Sequence, residues 1–128
     1  MGCDIHGPWI EVRIGERWEH VAAFTIAADY QLFAKLASVR VNEHRPAMFA
    51  PRGLPYDLSW RTESLVNAIP EGHNASWLTE GEIDAVLRSY DTTPQTHFPP
   101  LAFVAMAACM QAIMARGLLC RAVFGFDN

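Results

Sequence analysis

The sequence predicts an α+β fold: a small antiparallel sheet with its N- and C-terminal strands adjacent, packed by about three helices. Three observations predict it. Apolar residues alternate with polar ones through the first stretch, from Cys3 to Arg13. In the middle they recur at steps of three and four, as in "DYQLFAKLASV". The closing stretch, "LLCRAVFGFDN", returns to a strand-like run. Strands at both extremes with helices between them are the pattern of an α+β architecture rather than of alternating βαβ units.

Each element follows in order. Residues 3–13 read as a strand with Ile10, Val12 and Ile14 on one face and Glu11 and Arg13 on the other. Gly15 sits in a turn, and "WEHVAAFTI" reads as the second strand of a hairpin. Asp29 to Val39 is a helix, with Tyr30, Phe33, Leu36 and Ala37 on one stripe and Asp29 as its N-cap. From Arg40 to Trp60 the chain loses any period and holds three prolines and a glycine, which predicts a long irregular loop. A short helix is expected near Glu63–Ile69, followed by "PEGHNASWLT" as a connection. Thr79 and Glu82 form a capping box that starts a helix running to about Tyr90. Residues 91–100 read as another loop. Pro100 to Arg116 is apolar nearly all round and is expected at the centre of the core, with Gly117 as its stop. Residues 1–128 are expected to form one domain, because no composition shift or repeat divides them.

Composition narrows the function. A net charge of −4 argues against a general nucleic-acid coat. Lys35 is the only lysine, and the other nine basic residues are arginines, whose planar fork of donors suits phosphates and carboxylates. Cys3, Cys109 and Cys120 are odd in number and widely spaced, which argues against a disulfide framework. Cys109 and Cys120 fall in apolar runs and are expected to be buried. The longest apolar run, Leu101 to Ala115, is too short to span a bilayer, so a cytoplasmic protein without a membrane partner is expected.

Several residues could carry chemistry. Asp4 and His6 are two apart on a strand, so they share a face while Cys3 and Ile5 take the other. A carboxylate beside an imidazole can bind a divalent metal ion or act as an orienter and base. The alternative is a carboxylate that accepts loop hydrogen bonds beside an edge histidine. His73 lies near Asn74 and Ser76 just ahead of a helix, where an anion is readily held. In the alternative reading, Ser76 and Thr79 cap that helix and His73 is solvated. Arg52 stands in the rigid "PRGLP" frame and could clamp a phosphate or hold its own loop shut. Asp57 is a second candidate acid or a turn residue. Asp127 would lie beside Cys3–His6 if the terminal strands pair antiparallel, and would otherwise be a frayed tail. The candidate set is therefore Asp4, His6 and His73 for proton chemistry or a divalent metal. Arg52, Asp57, Ser76 and Asp127 are the candidates for ligand binding. His20, His44 and His97 have no partners at metal-like spacing. Phe103, Met106, Met110 and Met114 follow helical spacing and suit a core or a homodimer face.

The blocks "MGCDIH", "DYQLFAKLASVR", "PRGLPYDLS", "HNASWLTEGEI" and "VFGFDN" occur in an order that resembles a family of small bacteriophage and prophage proteins. The chain is shorter than that family's pattern between Arg40 and Pro51 and around residues 70–73. The resemblance implies a phage-encoded protein in the host bacterial cytoplasm. Two functions are compatible with the residues. One is an accessory protein that binds a host protein or a small phosphate-bearing or nucleotide-like ligand, as in counter-defence. The other is a small metal-dependent hydrolase acting on such a ligand.

Overall fold

A computed structural model describes residues 2–92 and 97–128. Four strands form one antiparallel sheet in the order β2-β1-β4-β3, where β1 is Ile5–Ile14, β2 Arg17–Ala23, β3 Gly72–Thr79 and β4 Cys120–Asp127. The helices are α1 (Tyr30–Ala37), α2 (Trp60–Asn67), α3 (Glu80–Ser89) and α4 (Leu101–Ala115). The fold is α+β, and the first and last strands are adjacent, as the sequence predicts; both are inner strands of the sheet. None of the helices is long and apolar enough to cross a membrane, among the described residues.

One face of the sheet carries the main core. Ile10, Val12, Leu78, Ala122, Phe124 and Phe126 from the strands meet Phe33, Leu36, Ile83, Val86, Phe103, Met106 and Met110 from α1, α3 and α4. Phe33, Phe103, Phe124 and Phe126 are fully buried. Each such ring stabilises the fold by roughly 1.5–3 kcal/mol relative to exposure. Asp29 caps α1 by accepting a hydrogen bond from the Leu32 N–H at 3.0 Å. The Thr79–Glu82 capping box of α3 is formed in full. Gly117, at φ +80°, follows α4 in the left-handed conformation that glycine adopts without strain.

Several elements differ from expectation. The "GHNASWLT" segment is strand β3 rather than a connection, because it finds an antiparallel partner in β4 over Gly72–Thr79. The short helix begins at Trp60, where Ser59 caps it through the Thr62 N–H, rather than near Glu63. α4 is not central: Phe103, Met106, Ala107 and Met110 face the core, while Leu101, Ala105, Ala108 and Ala112 face outward. Small alanines made that helix look uniformly buried in composition. Cys109, expected to be buried, lies half-buried on its flank, whereas Cys120 is buried as expected. Of the loop expected over residues 91–100, residues 93–96 lie outside the described residues.

The second face of the sheet is not solvated. Trp9 and Val123 pack there against Val66, with Leu58, Leu65, Ile69 and Trp77 around them. Here α2 and the loop that precedes it lie over the sheet. The approach is close at Gly125, where an added Cβ would come within 3.0 Å of Ile69 Cδ1. Glu11, on the face opposite Ile10 and Val12 as alternation predicts, is fully buried under this layer.

Candidate functional site

The antiparallel pairing of β1 with β4 brings Asp127 to Asp4 and His6. The Asp4 N–H donates to Asp127 Oδ1 at 2.9 Å, and the Asp127 N–H donates to the Asp4 carbonyl at 3.1 Å. His6 Nε2 lies 2.8 Å from Asp127 Oδ2. Asp127 is thus no frayed tail. Its hydrogen bond with His6, then that with the Asp4 N–H, holds its carboxyl below the usual carboxylate range. Cys3 points the other way into the core, as strand alternation requires, and burial pushes its thiol pKa up.

His73 does not join this pair. It sits opposite Phe126 in the β3–β4 ladder and its ring stacks on Phe126 with centroids 6.4 Å apart. His6 sits opposite Gly125 in the β1–β4 ladder. Adjacent residues of β4 face opposite sides of a sheet, so the two imidazoles flank β4 from opposite faces. His73 instead contacts Asn74 Oδ1 at 3.2 Å, and Asn74 Nδ2 donates to the Ala37 carbonyl. The expected metal set of Asp4, His6 and His73 is therefore not assembled. Among the described residues, no group of three or more His, Cys, Asp or Glu side chains gathers to hold a metal ion.

Ser76 and Arg52 are used internally. Ser76 is fully buried, and its Oγ accepts the Arg52 N–H at 2.9 Å. It lies within β3, not at a helix N-terminus, so the expected anion site there does not form. Arg52 makes a two-pronged ion pair with Glu82, with Nη1 2.7 Å from Oε1 and Nη2 on Oε2. Its guanidinium also lies over the Trp77 ring at 4.9 Å and the Phe49 ring at 5.6 Å. Of its two readings, holding the loop shut is the one the geometry realises. The next residue extends the seam, since the Gly53 N–H donates to the Ala75 carbonyl at 2.9 Å. This covers the outer side of β3.

Asp57 belongs to a buried charged cluster that the sequence reading did not anticipate. Arg121 and Glu11 stand opposite each other in the β1–β4 ladder. Arg121 Nε donates to Glu11 Oε1 at 2.9 Å and Nη2 lies 2.7 Å from the same atom. Glu11 Oε2 accepts the Ser59 N–H at 2.9 Å. Arg121 Nη1 donates to Asp57 Oδ1 at 3.0 Å, and Trp18 Nε1 donates to Asp57 Oδ2 at 3.1 Å. The Trp18 ring covers the guanidinium at 3.9 Å. Burial alone would raise the Asp57 carboxyl, but the Arg121 hydrogen bond and charge, with the Trp18 N–H, hold it below its usual value. A signal for this cluster was present in the sequence. Glu11 and Arg121 are opposite charges, each flanked by apolar residues, in strands that were expected to be neighbours.

Trp18 and Asp57 form a wall between two clefts. The larger, about 930 Å³, is lined by Trp18, Tyr56, Trp77, Leu54, Met114 and Leu119, with Arg13, Thr79 and Gly81 at its margin. The smaller, about 580 Å³, runs between Glu16–His20 and Asp57–Arg61. Tyr56 is wholly exposed, and Trp60 and Leu119 are mostly so. Arg13 Nε donates to the Gly15 carbonyl at 3.0 Å, and its guanidinium lies 5.8 Å from the Trp18 ring centroid. His20 contacts Thr62 Oγ1 at 3.1 Å, while His44 and His97 lie on the surface. Neither cleft is lined by Asp4, His6, His73 or Asp127.

Comparison of the chain with protein-family models, with curated proteins and with solved structures gives no match in any of the three.

Proposed function

We propose that this is a binding protein, a phage-encoded accessory protein that holds a small ligand with a flat ring and an anionic group. One observation carries the reading. The cleft of about 930 Å³ is walled by Trp18, Tyr56 and Trp77 and has the Arg13 cation at its rim. That volume is within the range of small-molecule sites, and aromatic walls offer stacking surface for a ring such as a nucleobase. The phage origin rests on the sequence resemblance. Titrating the protein with cyclic mono- and dinucleotides tests the reading. Binding raises the melting temperature and changes tryptophan emission, and Arg13→Ala weakens both effects for the phosphate-bearing ligands. A full panel with no thermal shift and unchanged emission refutes it.

The hydrolase alternative has one observation in its favour, the His6–Asp127 contact, which matches an oriented general base. Phosphodiester turnover by the purified protein that is lost in His6→Ala would establish it in place of the binding reading.

A further inference from the structure

β2 is an outer strand of the sheet. The other outer strand, β3, is covered by the Arg52–Gly53 segment, through Ser76 Oγ and the Ala75 carbonyl. No such cover exists on β2: among the described residues, no backbone hydrogen bond reaches Arg17–Ala23 from any element except β1. An edge of this kind presents a row of backbone donors and acceptors ready for another strand.

The pairing of β1 with β2 limits where a new strand could lie. Ile10 faces Ala22 and Glu11 faces His20, so Val21 is an extra residue on β2. Such a bulge bends and twists the strand locally. The regular part of the edge is therefore the segment before it, Arg17 to His20, which reads Arg-Trp-Glu-His.

The charges of that segment are self-complementary. Laid antiparallel on a second copy with Trp18 facing Trp18, it sets Arg17 against Glu19 on both sides of the axis. Directly opposed residues share a face of the sheet, and opposite charges there attract. Arg17 and Glu19 are exposed, and neither takes part in an ion pair within the chain among the described residues. Sliding the register by two residues would set Glu19 against Glu19 and lose the match.

From this we infer that β2 is a self-association edge: two copies of the chain pair β2 to β2 antiparallel about a two-fold axis at Trp18, giving one continuous eight-stranded sheet. The interface is small and polar, so the dimer is weak and salt-sensitive. The pairing does not rest on what the large cleft binds, although Trp18 borders both.

Sedimentation equilibrium of the full chain at low salt tests it. The wild-type protein is expected to dimerise reversibly. Arg17→Glu makes the edge acidic and Glu19→Arg makes it basic, and each alone weakens the dimer about tenfold, because two attractive pairs become repulsive. An equimolar mixture of the two single variants restores association, now as a heterodimer, and so does the double variant Arg17→Glu/Glu19→Arg. Far-UV circular dichroism and melting temperature confirm that each variant is folded. A wild-type chain that stays monomeric at its solubility limit overturns the inference. So does a dimer indifferent to both single variants, or single variants that fail to associate when mixed.

Discussion

His6 Nε2 and Asp127 Oδ2 stand 2.8 Å apart across 121 residues of sequence, and the same carboxylate also caps the Asp4 N–H. The pair is part-buried, so the contact is one of structure as well as charge. Replacing Asp127 by Asn should cost about 1 kcal/mol of stability near neutral pH, the worth of a typical hydrogen bond to a charged, partly solvated group. The pH dependence has a definite sign. Asp127 is more acidic folded than unfolded, so its contribution is fully present above the unfolded carboxyl value of about 4 and fades as pH falls through the folded value. Chemical denaturation at several pH values should show wild type and Asp127→Asn converging in acid.

Glu11 and Arg121 should behave as a buried pair. Glu11→Ala leaves the guanidinium buried with only Asp57 as counter-charge and orphans the Ser59 N–H. The loss should be roughly 3–5 kcal/mol. Asp57→Asn, at a half-buried partner, should cost visibly less. Urea unfolding of the two variants gives the comparison, and equal losses would contradict the cluster's hierarchy.

Arg52 tests the distinction between a loop strut and an anion clamp. Arg52→Lys keeps the charge but loses both the two-pronged contact with Glu82 and the stacking on Trp77 and Phe49. It should therefore destabilise nearly as much as Arg52→Ala, by about 1 kcal/mol for each given the partial exposure. Neither change should alter nucleotide-induced thermal shifts.

The three thiols should differ in reactivity. Cys3 and Cys120 are buried, and burial pushes the Cys120 thiol up to about 11, while Cys109 is half-buried on α4. A thiol-specific disulfide reagent should modify one cysteine of the native protein first, and Cys109→Ser should abolish that early phase.

The fold was largely legible in the sequence, because its strongest signals are local. Alternation at Ile10 and Val12 marked β1, the stripe through Phe33 and Leu36 marked α1, and Thr79 with Glu82 marked the start of α3. Adjacency of β1 and β4 also followed, and with it the meeting of His6 and Asp127. What failed was anything that depends on a partner far along the chain. "GHNASW" looks like a connection because its polar residues hide a ladder that only β4 completes. The burial of Glu11 could not be read locally, because the layer that covers it, α2 and the preceding loop, comes some fifty residues later in the sequence. Arg52 offered two roles of equal merit until Glu82 and Trp77 were placed beside it. His73 reads as a loop residue free to reach His6, and only its place in β3, opposite Phe126, sets it on the other side of β4.

The position of β4 governs how the molecule can be built. It is the last strand in the sequence, yet it is hydrogen-bonded on both sides, to β1 and to β3. During synthesis the β1–β2 hairpin and the β3–α3 unit emerge with their inner edges unmatched, and they remain so until Cys120–Asp127 leaves the ribosome. The final eight-residue strand is a keystone rather than a trailing edge. A nascent chain stalled before it would display two sticky half-sheets, whereas one that passes it closes both seams in a single late, long-range step.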